Sequence, residues 1–481
     1  MEIGVIGAGY VGLTTAACLA AIGHTVYCAD NDSKKIASLQ QGILPFFEPH
    51  LDSLVRQNCA EARLEFTTTD EAISRGKALF ICVGTPPLEN GEADLSAIES
   101  VARQIAQQAH GYRLVIEKST VPVQTAQRLA KHLAIYNTNS LDYDVVSNPE
   151  FLREGSAVED FFHPDRIVVG ADSPRAIGLM KEIYARVLEA RPACPAHAQC
   201  PEQPKAAFVV TDTSSAEVVK HASNSFLAMK ISFVNMIADL CEIAGADIEK
   251  VAEGIGMDRR IGPAFLRPGI GFGGFCFPKD LQAFVHIGEK LGCNFSLLKE
   301  VEKINAARIE RFIARIKKEL WVLRGKTIAV WGLAFKPNTD DVRFAPSLAI
   351  IRRLIAEGAR LQAYDPQAME KAKKEIPEIR YCRNPYEAAE NAEAILLLTE
   401  WDEFRAIDWH RLRAIVDRPL LLDGRNMLSP EKVTSNGFDY ISIGRTLNPA
   451  APSASASPSV APRLSIDAPP ESTGARPGST L

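Results

Sequence analysis

A short apolar strand that runs straight into a glycine fingerprint constrains this chain more than any other feature. Residues 3–6 read as a buried strand, followed without a break by Gly7-Ala8-Gly9-Tyr10-Val11-Gly12 and an apolar helical stretch to Leu19. In that context each glycine has a mechanical task. Gly7 permits the tight turn, Gly9 lets a pyrophosphate approach the helix N-terminus, and Gly12 lets the helix pack on the strand. A second strand over 24–29 closes on Asp30, eighteen residues after Gly12. A carboxylate there accepts both ribose hydroxyls of an adenosine and repels a 2′-phosphate, so the expected coenzyme is NAD rather than NADP. No arginine follows Asp30 at once, and Lys35, five residues on, is within reach of the diphosphate or ribose. The expected fold class is α/β, opening with a Rossmann-like, doubly wound domain.

The rest of the chain extends that logic. Strands over 78–83 and 114–118 end in Gly84-Thr85-Pro86-Pro87 and Ser119-Thr120-Val121-Pro122. They set small hydroxyl residues at the carboxyl edge of a parallel sheet, where ligands bind. A strand over 144–147 runs into Asn148-Pro149-Glu150-Phe151-Leu152-Arg153-Glu154-Gly155. From 214 to about 291 the pattern turns helical. Val218, Val219, Ala222, Phe226, Ile231, Val234 and Ile237 exceed one helix face, so this long helix is expected to be buried on several sides and to form a subunit contact. Lys220 and Asn224, four apart, share a face and read as an inward-facing polar pair. Residues 327–331 before Gly332, 360–364 before Asp365-Pro366, and 392–399 then echo 3–6, 24–29 and 76–83. This reads as a second nucleotide-type domain without the full fingerprint; its first loop carries Phe335-Lys336-Pro337-Asn338-Thr339-Asp340-Asp341-Val342-Arg343. The expected division is 1–205 for NAD, 206–318 helical and dimerising, 319–448 for a substrate nucleotide, and 449–481 disordered, being Pro, Ser and Ala with few large apolar residues.

The helical region carries GFGGFCFPKD at 271–280. Gly271, Gly273 and Gly274 leave main-chain N–H groups open to a ligand, and Cys276 follows with Lys279 and Asp280 a turn further on. A nearby ammonium favours the thiolate, so Cys276 is the candidate nucleophile. A thiol is unnecessary for taking an alcohol to an aldehyde. It is needed to go further, because hydride leaves readily from the thiohemiacetal and water then releases the acid from the thioester. The arrangement suggests an alcohol taken to a carboxylate with two NAD⁺.

Composition narrows the remaining classes. With 481 residues, 46% hydrophobic and 23% charged, a multidomain globular enzyme is expected. The net charge of −5 offers no basic surface for nucleic acid, and the most apolar helix, near 231–244, is interrupted by Asp239 and Glu242, so no membrane partner is expected either. Ten cysteines without CxxC spacing suit a reducing cytoplasm, and with the first strand at residues 3–6 no signal peptide is expected. Cys194 and Cys200 have only His197 beside them, so no metal site is expected.

These motifs resemble the UDP-glucose/GDP-mannose dehydrogenase family of nucleotide-sugar 6-dehydrogenases over about residues 1–447. They are GAGYVG at 7–12, VGTP at 83–86, STVP at 119–122, NPEFLREG at 148–155, KHASNSFLAMKISF at 220–233, RIGPAFLRPGIGFGG at 260–274, CFPKD at 276–280, FKPNTDD at 335–341 and DGRN at 423–426. FCFPKDLQAF and FLRPGIGFGG look more like the UDP-glucose branch; the alternative is GDP-mannose or another nucleotide-hexose, with a non-catalytic NAD-binding regulator or a single-step β-hydroxyacid dehydrogenase as readings from other classes. The resemblance implies four-electron oxidation of C6 of UDP-glucose to UDP-glucuronate by a homodimer or higher oligomer. It implies Cys276 as nucleophile, Asp280 helping to activate water, Lys220 and Asn224 stabilising the oxyanion, and Glu154 with Thr120 and a water taking protons. It places Gly7, Gly9, Tyr10, Val11, Gly12, Asp30, Lys35, Thr85, Thr120, Glu154, Lys279 and Arg343 at NAD. It places Glu150, Phe151, Leu152, Arg153, Glu154, Lys220, Asn224, Phe265, Leu266, Arg267, Pro268, Gly269, Gly273, Lys336 and Arg425 at the UDP-sugar, and Arg260 at that of a neighbouring subunit. Phe275 stands where the family usually has Ser, Phe344 where an acidic residue is usual, and the 190–206 segment looks longer than usual.

Overall fold

Apolar runs bounded by glycine and proline fold into two open sheets whose carboxyl edges supply the loops of the site. The structure is a computed structural model and describes residues 1–88, 91–189, 194–197, 200 and 205–445. The tail expected to be disordered, and much of the 190–206 segment, lie outside the described residues. The first sheet contains β1 (Glu2–Ile6), β2 (Thr25–Ala29), β3 (Leu64–Thr67), β4 (Ala78–Ile81), β5 (Tyr112–Glu117), β6 (Asp142–Ser147), β7 (Arg166–Gly170) and β8 (Ala207–Thr211). Their order is β3-β2-β1-β4-β5-β6-β7-β8, parallel except between β6 and β7. β8 pairs with β7 beyond the boundary expected near residue 205, and Val209 and Val210 stay exposed on this edge strand.

The second sheet holds β9 (Thr327–Trp331), β10 (Arg360–Tyr364), β11 (Arg380–Tyr381), β12 (Ala394–Leu397), β13 (Leu420–Asp423) and β14 (Asp439–Ser442), in the order β11-β10-β9-β12-β13-β14. All its pairs are parallel. Its central strands are buried on both faces, which is why they read as continuous apolar runs rather than alternating ones.

Between the sheets in sequence run the long helix Thr213–Ala244, the helix Cys276–Lys290 and the helix Ser296–Leu320. Asp212 caps the long helix by accepting from Ser215 N, and Gly245 ends it with a left-handed φ of 74°. The expectation of apolar burial on several sides is corrected here. The inward face carries Glu217, Lys220, His221 and Asn224, whereas Phe226, Phe233, Met236, Leu240 and Ile243 are exposed. Helical periodicity locates a stripe but not which side meets the fold, and here the polar side turns inward because it serves the site. Among the described residues no helix is long and apolar enough to cross a membrane.

Candidate active site

The strand-to-helix turn after β1 has the geometry its glycines foretell. A β-carbon on Gly12 would overlap the Gly7 carbonyl oxygen, whereas the space over Gly9, which caps the helix Tyr10–Ala21, is open. Asp30, at the end of β2, accepts from Ala8 N at 2.8 Å and Asp32 N at 3.0 Å, and pairs with Lys35 Nζ at 2.8 Å. Burial alone would raise its carboxyl pKa, but Lys35 and the two backbone donors outweigh it and hold Asp30 ionised below its usual range. Thr85 Oγ1 donates to Thr120 O at 2.8 Å, joining the loops after β4 and β5 at the sheet's carboxyl edge.

Between this edge and that of the second sheet lies a cavity of about 1540 Å³, larger than the roughly 300–1,000 Å³ of a single-ligand site. Tyr10 and Val11 line it from the coenzyme loop, residues 150–154 and Lys220 and Asn224 from the centre, and Lys336 and Arg425 from the second sheet. Cys276 sits in its wall at the first turn of its helix. Lys220 Nζ is 2.8 Å from Glu150 Oε1, both nearly fully buried. Burial opposes the lysine's charge, but Glu150 and Asp280 outweigh it, so the ammonium persists. Asn224 Nδ2 donates to Asp280 Oδ2 at 2.6 Å, and Lys279 Nζ pairs with Asp280 Oδ1 at 2.7 Å. Asp280 is 1% exposed and lies outside the cavity wall, behind Asn224.

The expected thiolate is not what this setting favours. Burial, with Glu150 and Asp280 adding to it, pushes the Cys276 thiol up to about 12 and outweighs Lys220. Lys279, the ammonium nearest in sequence, is spent on Asp280. Cys276 therefore rests as a thiol. Glu154 is shifted upward too: burial and then Asp341 raise its carboxyl to about 7, against Arg343 and Lys336. Its Oε1 is 3.6 Å from Arg343 Nη2.

The glycine-rich loop packs closely against the loop after β9. A β-carbon on Gly273 would strike the Phe344 carbonyl, and one on Gly274 would lie 2.7 Å from the Phe335 ring. These glycines admit the loop after β9, and Gly271, Gly273 and Gly274 still line the cavity, with the Gly274 amide donating to the Arg343 carbonyl. Phe275 then has a physical account: the Arg343 guanidinium lies 4.4 Å over its ring, a cation–π contact that a serine could not make. Phe344 holds a strained φ of 51° and is exposed.

Arg425 is held by Leu398, Gly271 and Phe335 carbonyls at 2.8–3.1 Å. Asp423 shapes its turn, accepting from Arg425 N at 2.9 Å and Met427 N at 2.9 Å. Phe265, Arg267, Pro268 and Gly269 line the cavity, but Leu266 turns into the core beside Val234 and Ile270. Its apolar side chain is 4% exposed there, removed from water more fully than on the open cavity wall. Arg260 lies on an exposed turn, paired with Asp258 at 2.6 Å and outside the cavity wall of its own chain.

Several participants escaped the sequence reading. Glu48 accepts from Tyr10 Oη at 2.5 Å, Gly155 N at 2.6 Å and Ala157 N at 2.7 Å, tying the coenzyme turn to the 148–155 loop. Asn305 bonds Phe272 N and O at 2.8 and 3.0 Å, and Asn235 Oδ1 receives Gly269 N at 2.8 Å. Lys118 lines the cavity and burial lowers its ammonium to about 8. A polar residue inside an otherwise apolar strand end or helix face was the available signal for Lys118 and Asn235. Glu48 and Asn305 carry no such mark. His163, from the turn after the helix Ala157–Phe162, joins Cys194, His197 and Cys200, with their ligand-type atoms within 4.8 Å of one another. The expectation of no metal site counted only His197 beside the cysteines; the fold adds a second imidazole.

Three family models of the UDP-glucose/GDP-mannose dehydrogenases match the chain: the NAD-binding domain over 1–188, the central domain over 214–307 and the UDP-binding domain over 329–430. The chain is 45% identical over 453 residues to a UDP-glucose 6-dehydrogenase of Rhizobium meliloti (strain 1021), covering 92% of this chain and 100% of that one. It is 41% identical over 458 residues to a UDP-glucose 6-dehydrogenase of Pseudomonas aeruginosa, covering 92% and 98%. Its fold matches a UDP-glucose dehydrogenase structure from Pyrobaculum islandicum with a TM-score of 0.83 at 35% identity, covering 92% of this chain and 98% of that one. An open glycine turn with an ionised Asp30, a second sheet edge bearing Lys336 and Arg425, and these likenesses lead to one conclusion: the chain belongs to the UDP-glucose/GDP-mannose dehydrogenase family and is an NAD-dependent nucleotide-sugar dehydrogenase.

Proposed function

We propose that the protein oxidises the C6 alcohol of UDP-glucose to the carboxylate of UDP-glucuronate, consuming two NAD⁺ and one water per sugar. The observation that carries this reading is the position of Cys276 in the wall of one large cavity, with Lys220 and Asn224 beside it and nucleotide-type loops at either end. The relatives' substrate, UDP-glucose, supports the choice of sugar.

NAD⁺ supplies the hydride acceptor for both oxidations. The protein's own groups do the rest. Glu154, with Thr120 and a water, takes the proton of the C6 hydroxyl in the first oxidation. Cys276 Sγ then adds to the aldehyde carbon, its proton passes to a base and the Lys220 ammonium and Asn224 amide stabilise the C6 oxygen. Loss of the second hydride leaves a thioester, and water attack frees the acid and returns the thiol. Asp280 acts through Asn224, whose amide it orients, rather than on the water directly. Lys336, Arg425 and residues 265–269 hold the UDP-sugar, with Leu266 contributing packing.

The reading includes a three-domain division, its first boundary falling after β8 rather than at about 205 and its second at about 318, and a cytoplasmic setting, which ten free cysteines support. A homodimer or higher oligomer is also part of it, supported by exposed Phe226, Phe233, Met236, Leu240 and Ile243 along one helix. In that assembly Arg260 reaches a neighbour's sugar nucleotide. The test is turnover of UDP-glucose, GDP-mannose and N-acetylated UDP-sugars with NADH counted per sugar consumed. Two NADH per UDP-glucose is expected. One NADH with a released aldehyde would refute the covalent route, and preference for GDP-mannose would refute the substrate.

A further inference from the structure

We propose that His163, Cys194, His197 and Cys200 form a structural zinc site that ties Cys194, His197 and Cys200 to the wall of the sugar cavity at His163. The four ligand-type atoms already lie within 4.8 Å of one another in the described structure. Tetrahedral zinc with sulfur at about 2.3 Å and nitrogen at about 2.0–2.1 Å sets ligand atoms about 3.3–3.8 Å apart, so closure needs shifts of an ångström or less. Cys194 Sγ and His197 Nδ1, at 3.8 Å, are close to that spacing.

The surroundings are those of a metal ligand set rather than of a chance cluster. His197 turns its other nitrogen, Nε2, to Glu159 at 3.5 Å, an arrangement that frees Nδ1 as the ligand and strengthens it. Ala196 N donates to Cys194 Sγ at 3.4 Å, a contact suited to a thiolate. The His163 and His197 rings are tilted at 58° with centroids 5.8 Å apart, so their nitrogens converge without stacking. Two thiolates and zinc sum to neutrality, which suits a site where Cys194 is buried in the core of the first α/β unit. Four protein ligands leave no open position for water, so the site is structural, and two sulfurs with two imidazoles select zinc over magnesium or calcium.

The clamp has a consequence for the cavity. His163 and Glu159 both line it, and Asp160 on the same short helix holds Arg153 through Nη2 at 2.5 Å and backbone N at 2.7 Å. Metal binding thereby stiffens the support of the 148–155 loop.

Elemental analysis of the untagged full chain, purified with zinc and passed through a desalting column, is expected to give about one zinc per chain. Cobalt added to the metal-free chain is expected to show tetrahedral d–d bands with thiolate charge transfer. Cys194→Ser and Cys200→Ser are expected to lose at least nine-tenths of the zinc while keeping native circular dichroism and NAD⁺ binding. The exposed-thiol variants Cys59→Ser and Cys293→Ser are expected to keep it. Wild-type protein that takes up neither zinc nor cobalt overturns the proposal, whatever the variants do. So does a thiol count in denaturant and chelator two short of the ten cysteines, which would mean a disulfide, or zinc retained undiminished in Cys194→Ser.

Discussion

The two α/β sheets repeat one topology and yet are built for different ligands, and their acidic residues show why. Each sheet has its first strand at the centre, and each second strand ends on an aspartate that reaches back to the first loop. Asp30 makes one bond to that loop, with Lys35 also on its Oδ2 and Asp32 N on its Oδ1, and its side chain stays 8% exposed. Asp365 is 1% exposed and consumed: Leu333 N, Ala334 N and Trp401 Nε1 occupy Oδ2, and Gln367 N and Ala368 N occupy Oδ1. The first helix begins three residues after the Gly7 turn, at Tyr10, whereas the next helix after Gly332 begins at Pro346. The first turn is short and points helix amides at a pyrophosphate. The second becomes a long loop that brings Lys336 to the cavity and Arg343 to Glu154. Shared topology fixes where a ligand edge lies; the loop on that edge decides what it holds.

If the two sheets bind and the seam between them reacts, the largest effect belongs to the seam. Cys276→Ser is expected to cut acid formation by at least about 10³-fold while titrations of NAD⁺ and UDP-glucose stay near wild type. Unchanged turnover to the acid would break the division of labour. Lys220→Ala should cost about 10²–10³ in kcat with KM for the sugar nucleotide largely kept, since Lys336 and Arg425 belong to the other edge. A hundredfold rise in KM at constant kcat would make Lys220 a binding residue.

Glu154 sharpens the comparison because it belongs to the first sheet's loops and meets Arg343 of the second. Its carboxyl is raised to about 7, so it is protonated and unable to accept below that pH. Activity is expected to rise with pH through about 7, near tenfold per unit on the acid side, and Glu154→Gln should lower kcat about 10² and abolish that limb. A limb that survives in the variant would assign the titration elsewhere. The smallest effects test the aspartates directly. Asp30→Asn should raise KM for NAD⁺ about tenfold and narrow its advantage over NADP⁺, with stability little changed. Asp365→Asn should instead cost about 1.5–3 kcal/mol of stability in urea melts and leave coenzyme KM alone. Equal coenzyme effects from both would erase the distinction.

Much of this was legible in the chain because it is local. Strand, glycine turn and helix follow one another over residues 2–21, and β9 and β10 span the residues their apolar runs mark. Cys276, Lys220 and Asn224 could be named because their chemistry stands out against apolar or glycine-rich neighbours. The edge strand β8, the support from Glu48 and Asn305, and the inward turn of Leu266 were not legible. Each depends on a partner far away in sequence, and a polar residue in an ordinary amphipathic segment does not reveal what it will meet.

By itself, then, the sequence determined the repeated α/β plan and the NAD-binding turn, since backbone sterics and short-range periodicity act within a few residues. Tertiary structure alone decided the resting state of the Cys276 thiol, the exposure of Phe226, Phe233, Met236, Leu240 and Ile243 on the long helix, and the meeting of His163 with Cys194, His197 and Cys200. Acidity and ligand geometry are set by burial and by charges within a few ångströms, and only the folded chain brings those groups together.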